Sequence, residues 1–379
     1  MLSSNTAVSA ALDRLFSRDQ GLYGALEDIP LIAQKGHNRR MELLSLLKIG
    51  DVQQKICLDF GTGSWGFAGI FPALHHCRFA YGLDISSSAI AKSEELSRSH
   101  PFPYGSNFKY LQSDGLDIPR PDGSVDIIFA GESIEHTRFP RRFLSECHRV
   151  LTPEGQLIVT TPNRDALLYR TQNDRYCSSP EHFWLFNYEE LQEFVSEFFE
   201  IAECYGFNGS IYRGLDKTSV DNNATAAWSR MFHDEPQNAT GVVLRATKRA
   251  LEDPPRYRLE TLGDGLVRVE GQRMVLDLEF GLKGTMIDSA NSTITVDCPP
   301  SDGIILYFWS HAWSGIGQVI WNGSSKPVNL YATDPGWIPI VLPGSTSVWS
   351  KAVIRATEAH DPRAQAAQVI LFETLAYRR

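Results

Sequence analysis

The stretch LDFGTGSWG, Leu58 to Gly66, joins an acid to closely spaced glycines, as in many cofactor-binding turns. Gly61 and Gly63 allow the main chain to approach a ligand closely, because they carry no Cβ. Asp59 precedes the first glycine, and Asp84 ends the next apolar stretch of the chain. An acid in that second position can bind ribose hydroxyls. The pattern therefore predicts a nucleoside-containing cofactor held between two strand ends.

Two classes of cofactor compete for this turn. Read literally, GTGSWG fits the GxGxxG fingerprint of nicotinamide and flavin enzymes, whose glycines contact a pyrophosphate. S-adenosylmethionine (SAM) carries no phosphate, and both its ammonium group and its sulfonium are positively charged. A carboxylate before the first glycine attracts such a cation and repels a pyrophosphate. Because Asp59 occupies that place, the sequence favours SAM.

Three later stretches follow the turn in order: LQSDGLDIP, PDGSVDIIFAGESIEHT and HRVLTPEGQLIVTTPN. With the turn, they resemble the motifs of class I SAM-dependent methyltransferases, in particular the UbiE/UbiG-like small-molecule enzymes, over about residues 36–248. The resemblance implies that Asp114 and Gly115 contact the adenine of SAM. The full set of implied cofactor-binding residues is Asp59, Gly61, Gly63, Asp84, Asp114, Gly115 and Glu132.

The turn departs from the family pattern DxGxGxG at one position. Trp65 stands where the family has its third glycine, and Gly66 follows one residue later. Trp65 either begins the following helix and packs outward, or it forms a wall of the cofactor or acceptor pocket. In both cases Gly61 and Gly63 must provide the close approach to SAM.

Methyl transfer from a sulfonium mainly requires a positioned nucleophile that has lost its proton. The candidate catalytic bases are His136 and His182, because both follow predicted strands, where open α/β sheets place their sites. Alternatively, His136 only caps or orients its loop without touching a proton. Glu132, Glu135 and His136 also form ExxEH, which resembles the metal-binding stretch of ubiquinone-pathway O-methyltransferases. An ordinary loop with solvated carboxylates gives the same pattern, so no metal ligand is assigned.

Guanidinium groups in the loop after the fifth predicted strand have two interpretations. They can clamp a phosphate or carboxylate of the acceptor, or they can form a solvated helix face. The residues concerned are Arg164, Arg170 and Arg175.

The elements that must position these residues alternate apolar strands with amphipathic helices, which is typical of a parallel sheet covered on both faces. We therefore expect an α/β fold with a Rossmann-like, seven-stranded methyltransferase sheet. Ser86 and Asn187 are expected to cap two of the helices, the latter with Glu190 in a capping box. A polar insertion, residues 207–240, separates the last two strands. The predicted strands are 55–60, 78–83, 108–111, 125–130, 156–161 after a turn at 152–155, 200–205 and 241–247.

Near residue 255 the helical periodicity disappears, and ten short alternating stretches follow, separated by Gly, Pro, Asn and Ser. This pattern predicts an all-β domain, an antiparallel sandwich or jelly roll. The expected domains are 1–255 and 256–379. Most aromatic residues of the second domain are expected in its core, with a dimer contact or a glycan platform as alternatives. They are Tyr307, Phe308, Trp309, Trp313, Trp321, Tyr331, Trp337 and Trp349.

Composition limits the partners and the location. With 36 basic and 45 acidic residues the net charge is -9, and no basic run is present, so nucleic acid is not expected as a partner. No stretch approaches the roughly 20 apolar residues of a membrane span. Charges within the first twenty residues interrupt any secretory signal. Six scattered cysteines without CxxC favour reduced thiols, so we expect a cytoplasmic protein.

The sequence thus predicts an enzyme with SAM as its cofactor that O-methylates a sugar or saccharide-type acceptor. The C-terminal sandwich is the reason for favouring a sugar. One alternative is a methyltransferase for a non-sugar metabolite such as a phenol, quinone or polyketide. Another is a non-catalytic scaffold whose sandwich binds glycan or protein. A homo-oligomer formed through the sandwich is a further expectation.

Overall fold

The computed structural model describes residues 52–64, 77–99, 107–165, 181–207, 232–233, 236, 239, 241–263, 265–278, 282–332, 335–359 and 361–379. Within these ranges the chain forms two compact units. The α/β unit comprises the described residues of 52–165 and 185–254, and the β unit comprises 181–184 and 255–379.

The α/β unit is built on an eight-stranded sheet with the order β3-β2-β1-β4-β5-β8-β6-β7. Strands β1 to β5 run parallel to one another, whereas β8 runs antiparallel to β5 and β6. Seven of the strands match the predicted sheet, and the two-residue strand β7, from the polar insertion, adds an eighth. The strands are β1 (Ile56–Phe60), β2 (Phe79–Asp84), β3 (Phe108–Gln112), β4 (Val125–Gly131), β5 (Leu151–Pro162), β6 (Phe199–Phe207), β7 (Phe232–His233) and β8 (Gly241–Lys248).

Three α-helices of this unit are described: α1 (Ser87–Ser99), α2 (Pro140–Val150) and α3 (Tyr188–Ser196). Helix α1 connects β2 to β3 in one direction along the sheet, and α2 connects β4 to β5 in the other. Right-handed crossovers in opposite directions place the two helices on opposite faces. Of the helices in the described residues, none is long and apolar enough to cross a membrane.

Both expected helix caps are confirmed. The Ser86 hydroxyl accepts a hydrogen bond from the backbone N–H of Ala89 at 3.1 Å, at the start of α1. Asn187 and Glu190 form the capping box of α3, in which each side chain accepts from the other residue's backbone N–H. These bonds satisfy helix N–H groups that have no partner within the helix.

The predicted turn at 152–155 falls within a strand, at a point where the strand pairing is interrupted. These residues belong to the long strand β5, which begins at Leu151 directly after α2. The pairing of β4 with β5 shifts its register between Val125 and Ile127, so the strand absorbs the irregular TPEG segment. A Cβ on Gly155 would lie 2.9 Å from the Cβ of Leu151, so the chain bends back within this segment, as its Pro and Gly indicate.

The β unit contains two antiparallel sheets that share one hydrophobic core. One sheet has the order β10-β13-β18-β15-β16, and the other has the order β11-β12-β19-β14-β17 with β9 also paired to β19. Core side chains such as Ile294 and Ile354 come from the first sheet, and Leu306 and Phe308 come from the second. The strands are β9 (Arg258–Thr261), β10 (Val267–Glu270), β11 (Met274–Asp277), β12 (Lys283–Ile287), β13 (Thr293–Cys298), β14 (Gly303–Ser310), β15 (Ile316–Trp321), β16 (Ser324–Asn329), β17 (Gly336–Pro343), β18 (Ser350–Ala356) and β19 (Val369–Arg378).

A short segment that precedes α3 in sequence belongs to the β unit. Phe183 stacks on Trp337, with ring centroids 5.4 Å apart and an interplanar angle of 18°. The indole N–H of Trp184 donates to the Tyr307 hydroxyl at 3.2 Å. Both side chains of the segment are buried, so residues 181–184 are part of the packing of this unit.

Candidate active site

The strand order of the α/β unit reverses between β1 and β4, because β2 and β3 extend to one side and β5 to the other. In open α/β sheets, ligands bind in the crevice at the carboxyl ends of the strands at such a reversal. Phe60 ends β1 and Gly131 ends β4, and the loops that follow them carry most of the predicted site residues.

The glycine turn begins directly after β1. Gly61 and Gly63 have φ angles of 68° and 60°, in the left-handed region that favours glycine. A Cβ on Gly61 would lie 2.8 Å from the Cβ of Ser133, which follows β4. The backbone N–H of Thr62 donates to the Leu83 carbonyl at 3.0 Å. The turn is therefore packed tightly against both neighbouring strand ends.

Asp84, at the end of β2, fixes the conformation of this turn. One carboxylate oxygen accepts from the backbone N–H of Gly63 at 2.8 Å, and the other accepts from that of Ser86 at 2.9 Å. The Ser93 hydroxyl of α1 donates to the Gly63 carbonyl at 2.8 Å. Each carboxylate oxygen can accept a second hydrogen bond. The acid can thus hold the turn and still accept from a ligand hydroxyl.

Asp59 lies on β1, next to Gly82 of β2 and Phe129 of β4. Its side chain is only 2% exposed. This position places an acidic side chain at the end of a central strand, at this edge of the sheet. Such a group favours a cationic ligand over a phosphate.

Asp114 and Gly115 form a tight turn after β3. The Asp114 carboxylate accepts from the backbone N–H of Leu116 at 3.0 Å. Gly115 has a φ of 77°, and a Cβ there would lie 2.6 Å from the ring of Phe60. Phe60 itself packs on Phe143 of α2, with ring centroids 4.4 Å apart. The turn thus lies beside the end of β1.

Glu132 has a φ of 50°, a left-handed conformation that is strained for a residue with a side chain. Its backbone N–H donates to the Thr160 hydroxyl at 2.9 Å and to the Thr160 carbonyl at 3.1 Å. The same hydroxyl donates to the Glu132 carboxylate at 2.9 Å. Thr160 of β5 therefore holds both the main chain and the carboxylate of Glu132.

His136 ends a short 3-10 helix, Ile134–His136, and its side chain is 28% exposed. Its Nε2 lies 3.9 Å from a carboxylate oxygen of Glu135, which is buried. The other oxygen of Glu135 accepts from the Thr161 hydroxyl at 3.0 Å. In the described residues, Glu132, Glu135 and His136 do not bring their ligand atoms within 4.8 Å of one another.

Of the remaining predicted residues, His182 and Arg164 belong to the described ranges and three do not. His182 is in the segment 181–184 of the β unit. Arg164 donates to the Leu185 carbonyl at 2.9 Å and to the Glu190 carboxylate at 3.0 Å, so it joins the loop after β5 to α3. Trp65, Arg170 and Arg175 lie outside the described residues.

The stretch of sequence that contains these strand ends matches a known protein family. Residues 58–159 match the family model described as a methyltransferase domain. This stretch is similar to SAM-dependent methyltransferase domains, and the cofactor of this chain is SAM.

Curated relatives cover only part of the chain. A Mycobacterium tuberculosis protein named "Probable S-adenosylmethionine-dependent methyltransferase" is 31% identical over 147 residues, which is 37% of this chain and 53% of that protein. A malonyl-[acyl-carrier protein] O-methyltransferase from Marinomonas is 28% identical over 127 residues, which is 33% of this chain and 44% of that protein. The chain thus matches about half the length of these relatives, or less.

A solved structure of a SAM-dependent methyltransferase from Thermotoga maritima aligns with 63% of this chain and with 100% of its own chain. Its sequence identity is 18%, and the TM-score is 0.43.

The methyltransferase domain has two buried hydroxyls that fit a polar ligand. Thr62 and Ser133 are 0% and 4% exposed, and neither side-chain oxygen has a hydrogen-bond partner among the described residues. Leaving such a group buried and unpaired costs about 1–3 kcal/mol. Both lie at the strand reversal, beside the glycine turn, and the polar groups of SAM include both donors and acceptors. The residues present therefore fit SAM.

Four hydroxyl-bearing residues of the methyltransferase domain were not among the site residues predicted from the sequence. Thr160 and Thr161 end a predicted strand, but nothing local indicates that they bind the two carboxylates after β4. Thr62 and Ser133 lie next to predicted residues, and their position at strand ends is the feature of the sequence that marks them as candidate ligand-binding residues.

A polar cavity at the opposite edge of the sheet is not part of this site. It is lined by residues that include Lys55, Asp126 and Glu154, at the amino-terminal ends of β1, β4 and β5. The strand reversal opens a ligand crevice at the carboxyl ends, so we do not assign the cofactor to this cavity.

Proposed function

We propose that the α/β unit transfers a methyl group from SAM to a small-molecule acceptor. The observation that carries the proposal is the strand reversal, where Asp59, the glycine turn and Asp84 meet the unpaired hydroxyls of Thr62 and Ser133. A fixed anion, a glycine cradle and unsatisfied hydroxyls together suit a cationic amino-acid ligand.

The domain's own residues have separate roles in this proposal. When bound, SAM supplies a methyl group already activated by the sulfonium. Asp59 provides negative charge for the ammonium end, and Asp84 accepts from the ribose hydroxyls while it holds Gly63. Asp114 and Gly115 border the adenine, and the carboxylate of Glu132, fixed by Thr160, contacts the cofactor. Gly61 keeps the main chain close to the ligand.

His136 is the base that we propose for removing the acceptor's proton. Its partly exposed imidazole follows β4 at the edge of the strand reversal. The nearby Glu135 carboxylate can orient the ring and stabilise the positive charge that the ring gains. Glu135 is held in turn by Thr161, so both act as positioning residues. His182 remains the alternative base.

An oxygen nucleophile is the acceptor atom that we propose, and a saccharide-type hydroxyl is the first candidate. The aromatic-rich β unit supports the choice of a sugar. A non-sugar metabolite is the alternative, and the relatives named malonyl-[acyl-carrier protein] O-methyltransferase and tocopherol O-methyltransferase support it. A scaffold with a cofactor pocket but no turnover is the remaining alternative.

Calorimetric titration of the full chain with SAM, its demethylated product and NAD tests the cofactor. We expect SAM and its product to bind and NAD not to bind. Asp84→Asn should weaken SAM binding by about tenfold or more, because hydrogen bonds to a charged group contribute about 1.5–3 kcal/mol. Binding of NAD without binding of SAM would overturn the proposal.

The acceptor is tested with labelled SAM and two panels, one of saccharides and one of phenols, quinones and polyketides. His136→Gln should lower turnover by about 10²–10⁴-fold while leaving the SAM affinity unchanged, because general base catalysis contributes on that scale. Turnover on the second panel alone would reject the sugar. If SAM binds and neither panel is methylated, the scaffold alternative is supported.

A further inference from the structure

One exposed tryptophan of the β unit is held on an unusually well-fixed turn. Trp313 is 52% exposed and lies between β14 and β15. The backbone N–H of Ser314 donates to the His311 carbonyl at 3.0 Å, and the Ser314 hydroxyl accepts from the His311 N–H at 3.1 Å. The backbone N–H of Trp313 donates to Nδ1 of His311 at 2.9 Å. The main chain beneath the exposed indole is therefore rigid.

The loop before β19 packs directly against this turn. Gln365 donates its backbone N–H to the Ala312 carbonyl at 2.9 Å, and Gln368 donates to the Trp313 carbonyl at 3.1 Å. A Cβ on Gly315 would lie 2.5 Å from the Cα of Ala367, so only glycine permits this approach. The two loops thus form one continuous surface.

The residues just after β16 add a second aromatic ring, that of Tyr331, which lies beside a guanidinium group. Tyr331 pairs with His311 in a β-bridge. The Arg363 guanidinium lies 4.7 Å from the centre of the Tyr331 ring. Arg363 also donates twice to the Asp361 carboxylate, at 2.8 and 2.9 Å, and the Asn329 amide donates to that carboxylate at 3.4 Å.

These groups are held in place and keep their charges. The hydrogen bonds from Arg363 hold the pKa of Asp361 well below its usual range, so the carboxylate stays an acceptor. Arg363 has further N–H groups beyond the two that Asp361 accepts. These donors and acceptors are carried by the loops whose main chain bonds to the His311–Ser314 turn that bears the exposed indole. We define the Trp313 surface as Trp313, Tyr331, Asn329, Asp361 and Arg363.

We propose that the Trp313 surface binds a saccharide. A pyranose presents a face of C–H groups that packs on the electron-rich face of an aromatic ring. Its hydroxyls both donate and accept, which matches a neighbouring Arg–Asp pair and an amide. Because the turn is rigid, little ordering cost accompanies binding. The proposal concerns the β unit alone and holds whether or not the methyl acceptor is a sugar.

The composition of the surface favours a saccharide over a protein partner. Protein interfaces centre on aromatic anchors surrounded by further apolar contacts. The other large hydrophobic side chains exposed in the described residues lie outside these loops: Met274, Val275, Val341, Val348 and Trp349. The Trp313 surface instead surrounds its exposed indole with polar and charged groups.

Native affinity electrophoresis of the full chain in gels containing soluble β-1,3-glucan, β-1,4-xylan or α-mannan tests the proposal. We expect at least one polysaccharide to retard the wild type. Calorimetry with an oligosaccharide of that polymer should show a loss of at least about tenfold in affinity for Trp313→Ala, equal to about 1.4 kcal/mol. Arg363→Ala should weaken binding less, because it removes polar contacts and keeps the ring.

Trp349→Ala is the matched control, because Trp349 is 60% exposed in the same unit but lies outside the surface. It should bind like the wild type. Trp313→Tyr keeps an aromatic face and should retain most of the affinity, which separates stacking from misfolding. The proposal is overturned if no polysaccharide retards the chain, or if Trp349→Ala weakens binding as much as Trp313→Ala. A wild-type dimer that Trp313→Ala makes monomeric would overturn it in favour of a second copy of the chain.

SAM affinity, measured on the same variants, separates this proposal from the proposed methyl transfer. Unchanged SAM binding with lost saccharide binding supports the Trp313 surface alone. Loss of saccharide binding in His136→Gln but not in Trp313→Ala would overturn it, because the sugar would then bind at the catalytic domain.

Discussion

The Thr160 hydroxyl joins the backbone N–H of Glu132 to the carboxylate of the same residue, with both hydrogen bonds 2.9 Å long. Glu132 has a left-handed backbone, which costs roughly 1–3 kcal/mol for a residue other than glycine. The hydroxyl and the Thr160 carbonyl offset this strain. They also fix the Glu132 carboxylate at the strand reversal, where we place the cofactor.

Thr160→Val keeps the shape of the side chain and removes the hydroxyl. We expect SAM affinity to fall about tenfold, because a hydrogen bond to a charged group contributes about 1.5–3 kcal/mol and Glu132 loses its fixed position. Calorimetry with SAM measures the change. Thr161→Val is the matched control, since its hydroxyl holds Glu135: SAM affinity should stay within about twofold while turnover falls. Equal effects of both variants on SAM affinity would contradict this division of roles.

Gly115→Ala should destabilise the α/β unit by about 2–4 kcal/mol. Its Cβ would lie 2.6 Å from the Phe60 ring, and its φ is 77°. Gly123→Ala is the control, because Gly123 has a φ of 62° but open space around its Cβ, so only the backbone cost of about 1–2 kcal/mol remains. Guanidinium unfolding of each variant gives the free energies.

The double variant Gly115→Ala with Phe60→Leu tests the cause of that loss. Leucine lacks the ring atoms that the new Cβ would meet, so part of the stability should return. The free energies of two contacting sites are then not additive. Strict additivity would mean that the backbone or the Phe143 ring, which lies 2.9 Å from the new Cβ, causes the loss, and not the Phe60 ring.

Much of the fold could be predicted, because local pattern and tertiary structure agree. The apolar strands of the α/β unit alternate with amphipathic helices, and the Asn187–Glu190 capping box marks the start of α3 in the sequence itself. Strand β12 could not be predicted. Gly284 interrupts its apolar pattern. A Cβ at position 284 would lie 2.6 Å from the Ile370 side chain of β19, so the packing of the two strands requires glycine there.

The candidate site was partly predictable for the same reason. Gly61 and Gly63 precede Asp84 by only 23 and 21 residues, and the strand-turn-helix-strand pattern brings them together. Thr160 and Glu132 are 28 residues apart, and a threonine at a strand end has no local signal for its partner. The packing of Phe183 on Trp337 depends equally on contacts distant in sequence.

His148 should make stability depend on pH. Burial in α2 lowers the pKa of His148 from its ordinary value of 6.5, and Nε2 lies 2.9 Å from the Arg249 carbonyl. The unfolded chain therefore binds a proton more readily than the folded chain. The neutral ring's contribution is fully present above pH 6.5 and is lost as pH falls from 6.5 towards the lower folded pKa.

Thermal unfolding of the wild type and of His148→Gln between pH 5 and pH 7.5 measures this effect. Glutamine can also donate to the Arg249 carbonyl but does not titrate. As pH falls below 6.5, the melting temperature of the wild type should decrease more than that of the variant. Parallel curves would show that other groups cause the acid sensitivity.

Removing residues 255–379 should make the remaining chain self-associate. Phe183 and Trp184 are 1% and 9% exposed because they pack on Trp337 and Tyr307, and truncation removes both partners. Newly exposed aromatic side chains favour association in water. Sedimentation velocity of the truncated chain should show oligomers. The truncated chain that also carries Phe183→Ser and Trp184→Ser should be monomeric.

The same truncated variant also decides what the β unit contributes to catalysis. If the soluble double-serine chain binds SAM like the full chain, the cofactor site needs only the α/β unit, as the hydrogen bonds of Asp84 and Thr160 within that unit lead us to expect. A monomeric truncated chain with its aromatic side chains intact would contradict the packing argument. It would mean that Phe183 and Trp184 find other apolar contacts once Trp337 is absent.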